Sequence, residues 1–185
     1  MRKLFLFMLT SLEGYFEDER QSLDWHNVDL EFERFAIEQL NTVDTILFGR
    51  KTYEMMAAFW PTDDAIQSDP ITAERMNSLP KLVFSKSLKS AGWHNTRLIH
   101  NNEIGEVITL KQSDGKDIAV FGSSDLGVTL LQAGLLDEIR VLVNPLLLGA
   151  GKSLFTGLEG RIKLTLLSTR TFGNGNVLLT YQPEY

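Results

Sequence analysis

Uninterrupted apolar runs recur along the first two thirds of the chain, and polar or amphipathic segments separate them. The runs are KLFLFML (3–9), VDTILFG (43–49), KLVFS (81–85) and DIAVF (117–121). An apolar run of this length is typical of a strand that is covered on both faces. The pattern therefore predicts four buried strands at the parallel centre of a sheet.

The segments between and after these runs indicate helices, because their apolar residues recur at helical spacing. The predicted helices are DLEFERFAIEQL (29–40), RKTYEMMAAF (50–59), EIGEVITLK (103–111) and SDLGVTLLQAGLL (124–136). The stretch PTDDAIQSDP (61–70) is acidic and bounded by prolines, and we interpret it as a surface loop. Strands that alternate with helices in this way predict an α/β fold.

The last third of the chain has a different pattern. DEIRVLV (137–143) alternates apolar with charged or mixed positions, which indicates a further strand. IKLTLLSTRTF (162–172) and NVLLTYQ (176–182) flank GNG (173–175), a typical hairpin turn. We therefore expect a single domain over residues 1–185 whose sheet ends in antiparallel strands.

Composition excludes several classes of protein. The 185 residues carry a net charge of −6, whereas proteins that bind nucleic acid usually have a basic excess. The chain has no cysteine, which excludes disulfides and thiolate metal sites and fits the cytoplasm. Its three histidines show no metal-binding spacing, so we expect no metal. The apolar N-terminal run is too short for a membrane helix, so we expect no membrane partner.

A ligand is expected beyond the carboxyl ends of the strands, as in other open α/β sheets. Three predicted ends carry glycine, basic or hydroxyl residues: FGRKTYE (48–54), FSKS (84–87) and FGSSDLG (121–127). Arg50 and Lys51 fall in the first turn of a predicted helix, where each cation normally costs about 0.3–1 kcal/mol. A bound anion would reverse that sign. The alternative is that both side chains simply extend into solvent.

Two glycine-containing segments resemble phosphate loops without matching them. GSSDLG (122–127) lacks the middle glycine of the dinucleotide fingerprint, and its Ser124 and Asp125 fit an ordinary helix start. GAGKS (149–153) resembles the end of a nucleotide-binding P-loop, but the first required glycine is Leu146. We therefore do not predict a nucleoside triphosphate site.

Five segments, in order, carry a resemblance to a known family. They are SLEGYF (11–16), LDW (23–25), TILFGRKTYE (45–54), LVFSKSL (82–88) and the long stretch from Ile118 to Phe155. With them the chain resembles the dihydrofolate reductase-like fold. Within that fold it is similar to bacterial proteins built from the reductase domain of the bifunctional riboflavin-biosynthesis deaminase/reductase. The fold implied is a mixed, mostly parallel central sheet flanked by helices, with an antiparallel C-terminal hairpin.

The resemblance implies NADPH as hydride donor and assigns it to residues near the strand ends. These are Thr10, Ser11, Leu12, Gly49, Arg50, Lys51, Thr52, Ser85, Lys86, Ser87, Gly122, Ser123, Ser124 and Leu126. The run from Gly49 to Thr52 would hold the pyrophosphate and the adenosine 2′-phosphate. The run from Ser85 to Ser87 would flank the adenosine, and Thr10 to Leu12 would lie near the nicotinamide.

The residues that would meet the substrate follow less directly. By resemblance, Glu138 and Trp25 would bind the substrate, and Glu138, Glu13 and Asp24 are candidates for catalysis. Glu13 stands where the riboflavin-type proteins have aspartate. Considered without the resemblance, Asp137 and Glu138 fit a solvated turn before a strand.

The function implied is NADPH-dependent reduction of a pyrimidine- or pteridine-like compound, as in the riboflavin-pathway reductase that acts on 5-amino-6-(5-phosphoribosylamino)uracil. The zinc deaminase half cannot be present, because its motif requires cysteine. Alternatives are a dihydrofolate reductase-type activity, a nucleotide-binding protein without turnover, and a plain scaffold. We also expect a homodimer, since the apolar late strands and NPLLLGAG (144–151) offer contact surface.

Overall fold

A computed structural model gives the fold, and it describes residues 1–122 and 124–185. The strands in chain order are β1 (Leu4–Thr10), β2 (Tyr15–Asp18), β3 (Val43–Gly49), β4 (Lys81–Phe84), β5 (Thr96–Ile99), β6 (Asp117–Phe121), β7 (Glu138–Val143), β8 (Gly151–Ser153), β9 (Lys163–Thr171) and β10 (Val177–Glu184). The helices are α1 (Leu30–Thr42), α2 (Arg50–Phe59), α3 (Asp63–Ser68), α4 (Pro70–Ser78), α5 (Glu103–Gln112) and α6 (Ser124–Gln132).

Eight of these strands form one mixed sheet in the order β5-β4-β3-β6-β1-β7-β10-β9. Neighbours from β5 to β7 run parallel, and β10 is antiparallel to both β7 and β9. β2 and β8 pair in a small separate antiparallel sheet. The predicted class, a mostly parallel α/β sheet with an antiparallel C-terminal hairpin, is confirmed.

Helices on the two faces of the large sheet explain why the central strands are apolar throughout. On one face α6 covers a core that includes Leu6, Ile118 and Leu130. On the other face Phe35 of α1 packs in a core with Phe7. Residues of β1 are buried on both sides, as expected for a central parallel strand. This arrangement brings the carboxyl ends of β3, β4, β6 and β1 to one edge.

The boundaries of most predicted elements agree with the structure, but the interpretation of residues 61–70 as a loop was wrong. Thr62 caps α3 by accepting a hydrogen bond from the Ala65 amide. Asp69 caps α4 by accepting a hydrogen bond from the Thr72 amide. Pro70 occupies the first turn of α4, where a backbone N–H has no partner within the helix and its absence from proline therefore costs no hydrogen bond. The prolines and acids are therefore helix-start signals here.

Five elements have no counterpart in the sequence prediction: β2, β5, β8, α3 and α4. Each strand among them has only three or four residues, too few for a clear period in the sequence. Among the helices that the structure describes, none has both the length and the apolar character needed to cross a membrane.

Candidate active site

A cleft of about 350 Å³ lies at the carboxyl edge of the sheet, where β3, β4 and β6 end. Much of the predicted cofactor set meets there: Gly49, Arg50, Lys51, Thr52, Ser85, Lys86, Ser124 and Leu126. These residues come from three separate stretches of sequence, and the parallel strand order brings them together. The site is therefore a product of the topology as well as of the local motifs.

The first turn of α2 forms one wall of the cleft. It contains Arg50 and Lys51 and no acidic residue, and its N-cap Gly49 has no side chain that could cap the helix. Arg50 reaches Glu54 at 3.4 Å, but both side chains are almost half exposed, so this ion pair is weak. The wall therefore combines the positive end of a helix with two cations, which together favour a bound anion.

The turn after β6 packs directly on this helix end. Gly122 has a φ of +73°, a conformation that side chains disfavour. A Cβ added there would lie 2.8 Å from Thr52 Cγ2. Glycine is thus required both by backbone conformation and by the close approach of α2. The predicted contact through Ser123 lies outside the described residues.

The opposite wall is formed by the residues after β4 and β5. Ser85 Oγ accepts hydrogen bonds from the amides of Ser87 and Leu88, which shapes the turn, and Lys86 is exposed beside it. His100 Nδ1 lies 3.0 Å from the carbonyl oxygen of Ser85. Of the predicted run, Ser85 and Lys86 line the cleft, whereas Ser87 is not among its lining residues.

Two basic residues of the cleft were missed by the sequence analysis, namely His100 and Lys152. Lys152 Nζ lies 3.0 Å from Asp125 Oδ1. The lysine therefore partly neutralises the acid in the first turn of α6, which by itself would repel a phosphate. Lys152 belongs to GAGKS, which forms part of the β2–β8 ribbon and no P-loop. Its position depends on tertiary structure, and no local pattern gives it.

The predicted nicotinamide residues lie at the end of β1, at the same edge but outside the residues that line the cleft. Thr10 and Ser11 are buried, while Leu12 is 68% exposed. The Ser11 amide donates to the Tyr15 carbonyl, and the Leu12 amide donates to the Leu146 carbonyl. These two amides therefore hold the local turn and the loop after β7.

Glu13 also binds the loop after β7 by hydrogen bonds. Its two carboxylate oxygens accept hydrogen bonds from the amides of Leu148 and Gly149, at 2.7 and 3.0 Å. The carboxylate thus joins the end of β1 to the segment after β7. This structural use accounts for the acid at position 13, which remains a candidate for catalysis only as a hypothesis.

Asp24 and Trp25 lie in the segment before α1, and neither lines the cleft. The segment is fixed to the carboxyl edge through Asn27, whose amide donates to Asn144 Oδ1 at 2.8 Å. The Asn144 amide in turn donates to the carbonyl of Thr10. Asp24 is exposed, and Trp25 is half-buried and lies two residues before Asn27.

His26 is largely buried in this segment. Burial lowers its pKa to about 4, because the charged imidazolium would lose its hydration. Its Nε2 is buried and makes no hydrogen bond with the described residues. The ring packs edge-on against Trp25, with 4.5 Å between ring centroids. His26 is therefore neutral at pH 7.

The prediction that Glu138 faces the substrate is corrected by its place in the sheet. Glu138 begins β7 and is in register with Phe5 near the start of β1, so it lies at the amino edge, opposite the cleft. Lys3 Nζ lies 3.0 Å from its carboxylate, and Arg140 donates two hydrogen bonds to it. Burial alone would raise its pKa, but these hydrogen bonds outweigh that effect and the pKa is lowered. Glu138 is a structural ion-pair partner.

No group of three or more histidine, aspartate or glutamate side chains suited to a metal ion occurs in the described part of the chain. The cleft offers guanidinium, ammonium, imidazole and hydroxyl groups, which are donors suited to phosphate, and three carboxylates, Glu17, Glu103 and Asp125, also line it.

Known proteins are similar to this chain in sequence and in fold. The RibD C-terminal domain family matches residues 2–178. An uncharacterized protein of Bacillus subtilis, YyaP, is 33% identical over 182 residues, covering 97% of this chain and 94% of that protein.

Three solved structures have a similar fold. A candidate riboflavin biosynthesis protein from Shewanella sp. PV-4 has a TM-score of 0.74 at 24% identity, with 99% of both chains covered. The deaminase/5-amino-6-(5-phosphoribosylamino)uracil reductase of Thermotoga maritima has a TM-score of 0.69 at 16% identity, over 99% of this chain and 57% of that one. Dihydrofolate reductase from Enterococcus faecalis, complexed with NADP(H), has a TM-score of 0.66 at 15% identity, over 99% and 97%.

The sequence match covers nearly the whole chain, and the structural matches extend across the large sheet and its helices. The chain belongs to the RibD C-terminal domain family and has the dihydrofolate reductase-like fold.

Proposed function

We propose that this protein is an NADPH-dependent reductase. The observation that carries the proposal is the cleft at the carboxyl edge, where the first turn of α2 presents Arg50 and Lys51 and no acid. Lys86, His100 and Lys152 add basic groups around the same space. Such a set suits a ligand with several phosphates, and NADPH carries a pyrophosphate and a 2′-phosphate.

The residues present fit this cofactor. The first turn of α2 and Gly122 would hold the pyrophosphate through backbone groups, since glycine allows close approach there. Arg50 would bind the 2′-phosphate, and Ser85 with Lys86 would flank the adenosine. The bound cofactor would supply a hydride to the substrate. The chain would contribute by orienting the two reacting carbons and excluding water between them.

The substrate would be a pyrimidine- or pteridine-like compound, such as the substrate of the riboflavin-pathway reductase. Leu12 lies two residues after β1, and Asn27 is joined through Asn144 to Thr10 at the end of that strand. Asp24 and Trp25, just before Asn27 in the chain, would then lie near the nicotinamide. An aromatic ring and an exposed apolar side chain suit a flat heterocycle. The absence of cysteine from the chain is consistent with this reaction taking place in the cytoplasm.

Consumption of NADPH at 340 nm tests the proposal. The reaction is followed with a ribosylaminopyrimidine phosphate and, separately, with dihydrofolate as substrate. Oxidation that depends on one of them supports a reductase and separates the riboflavin-type from the dihydrofolate-type activity. Tight NADPH binding without oxidation for either would indicate a nucleotide-binding protein instead. A chain that binds no nucleotide at all would be a scaffold, and the proposal would fail.

A further inference from the structure

Lys152 enters the cleft from the flank opposite to Lys86 and His100. The sheet order places β4 and β5, which are followed by Lys86 and His100, on one side of β3 and β6. Lys152 belongs to β8, and the β2–β8 ribbon leaves the end of β1, on the other side of β6. Three strand spacings, or about 14 Å, separate β4 from β1. Lys152 is therefore placed for a different part of a long ligand than Lys86.

The ribbon that carries Lys152 is held in place by its main chain. The Leu154 amide donates a hydrogen bond to the carbonyl of Gly14, in the turn after β1. Within the ribbon, a Cβ added at Gly151 would overlap the carbonyl oxygen of Glu17, so the two strands are in close contact. The backbone of Lys152 is therefore anchored, and its long side chain is the part that can change partners.

The ammonium of Lys152 extends from the ribbon to α6. Glu17 lies directly opposite Lys152 in the ribbon register, yet the ammonium lies 3.0 Å from the carboxylate of Asp125, in the first turn of α6. It also lies 5.5 Å from the centre of the Phe16 ring. Asp125 follows closely after Gly122 in the chain, and the turn at Gly122 is where we propose that the pyrophosphate binds. The ammonium of Lys152 is thus held next to that turn.

The ion pair between Lys152 and Asp125 can be exchanged at little cost. The side chain of Asp125 is 83% exposed and that of Lys152 is 34% exposed, and ion pairs this exposed contribute little to stability. Without the lysine, Asp125 would remain hydrated and close to the positive end of α6. A pyrophosphate has more negative charge and more acceptor oxygens than one carboxylate, so it is the stronger partner for the ammonium.

We propose that Lys152 binds the pyrophosphate of the dinucleotide and that Asp125 competes with the pyrophosphate for the same ammonium. Without nucleotide the carboxylate of Asp125 holds the ammonium, and with nucleotide the pyrophosphate replaces it. Asp125 therefore weakens cofactor binding in two ways, since it occupies Lys152 and repels the phosphate charge. This inference rests on the proposed function, because it takes a dinucleotide as the ligand of the cleft.

Fluorescence titration with NADPH and with NADH tests both parts of the proposal. Lys152→Met should weaken the binding of both nucleotides by the same factor, about tenfold, because both contain the pyrophosphate. Asp125→Asn should act in the opposite direction and tighten the binding of both by about threefold. Lys152→Arg keeps the charge and should stay within about threefold of wild type. The control is Lys116→Met, at an exposed lysine bonded to Asn41 outside the cleft, which should bind as wild type.

The opposite signs separate this proposal from a purely structural role of the ion pair. If the pair only fastened the ribbon to α6, Lys152→Met and Asp125→Asn would both weaken binding, and the proposal would be wrong. Unchanged affinity in either variant would also overturn it. A loss confined to NADPH in Lys152→Met would place the ammonium on the 2′-phosphate instead.

These outcomes leave the reductase proposal standing, because the wild-type protein binds nucleotide in each of them. Wild-type protein that binds neither NADPH nor NADH would overturn the reductase proposal together with this one.

Discussion

Arg50 illustrates how one residue can be unfavourable for the helix that contains it and useful for a ligand. A cation in a first turn opposes the helix dipole, and its ion pair with Glu54 is too exposed to offset this fully. Its sequence position led to the prediction of an anion site because the signal is local, and Arg50 lines the cleft at that strand end. Lys152 and His100 reach the same cleft from distant segments, and no local signal marks them.

The Arg50→Ala variant should lose affinity for NADPH by about 10- to 100-fold, since a hydrogen bond between charged groups contributes about 1.5–3 kcal/mol. NADH lacks the 2′-phosphate, so its affinity should change little. Fluorescence titration with both nucleotides measures the two losses. Arg75→Ala in α4, which removes an exposed arginine outside the cleft, is the control and should bind as wild type. Equal losses for the two nucleotides would show that Arg50 does not bind the 2′-phosphate.

His26 should make the protein sensitive to acid. The unfolded chain binds a proton at this residue near pH 6.5, whereas burial delays protonation in the folded protein to about pH 4. Between these values the unfolded state holds more protons, so stability falls as the pH falls. The loss reaches up to about 3 kcal/mol by pH 4.

Urea unfolding at several pH values between 7 and 4 measures this loss. The His26→Gln variant should lose less stability on acidification than wild type. His94→Gln, at an exposed histidine, should follow the wild-type curve. If the slopes for His26→Gln and wild type coincide, His26 does not titrate differently in the folded state.

At the scale of elements, the site depends on how closely α2 approaches the turn after β6. Sequence patterns predicted α2 and β6 with their bounds, because α2 has helical spacing and begins directly after Gly49, and β6 is an apolar run that ends directly before Gly122. They did not give α3 and α4, since Thr62 and Asp69 are capping residues that also occur in loops. Short strands such as β5 were not predicted from the sequence, because they gain their stability from neighbouring strands.

Gly122→Ala should destabilise the protein by about 2–4 kcal/mol, from the positive φ and from the contact with Thr52 together. Gly157→Ala is the matched control, because Gly157 also has a positive φ, of +87°, but no atom within 4 Å of an added Cβ. It should cost only about 1 kcal/mol. Chemical unfolding measures the loss of unfolding free energy in both variants.

Thr52→Ser combined with Gly122→Ala should restore part of the stability, since serine lacks the Cγ2 atom that the added Cβ would meet. Equal costs for Gly122→Ala and Gly157→Ala would contradict the close approach of α2 to this turn.

At the scale of the whole molecule, strand order decides which predicted residues can act together. The carboxyl ends of the parallel strands bring Gly49, Ser85 and Gly122 to one edge, as expected from the alternating pattern. Glu138 was assigned to the substrate by resemblance, but it begins its strand and therefore lies at the other edge. Sequence similarity supplied the residue, and only the direction of β7 shows that it cannot reach the cleft.

The binding of NADPH and of NADH to the wild-type protein tests the central claim most directly. Isothermal titration should give one NADPH per chain, with NADPH bound at least about tenfold more tightly than NADH, a difference of about 1.4 kcal/mol. Equal affinities for the two nucleotides, or no heat of binding at millimolar NADPH, would contradict the account of the cleft as an NADPH site.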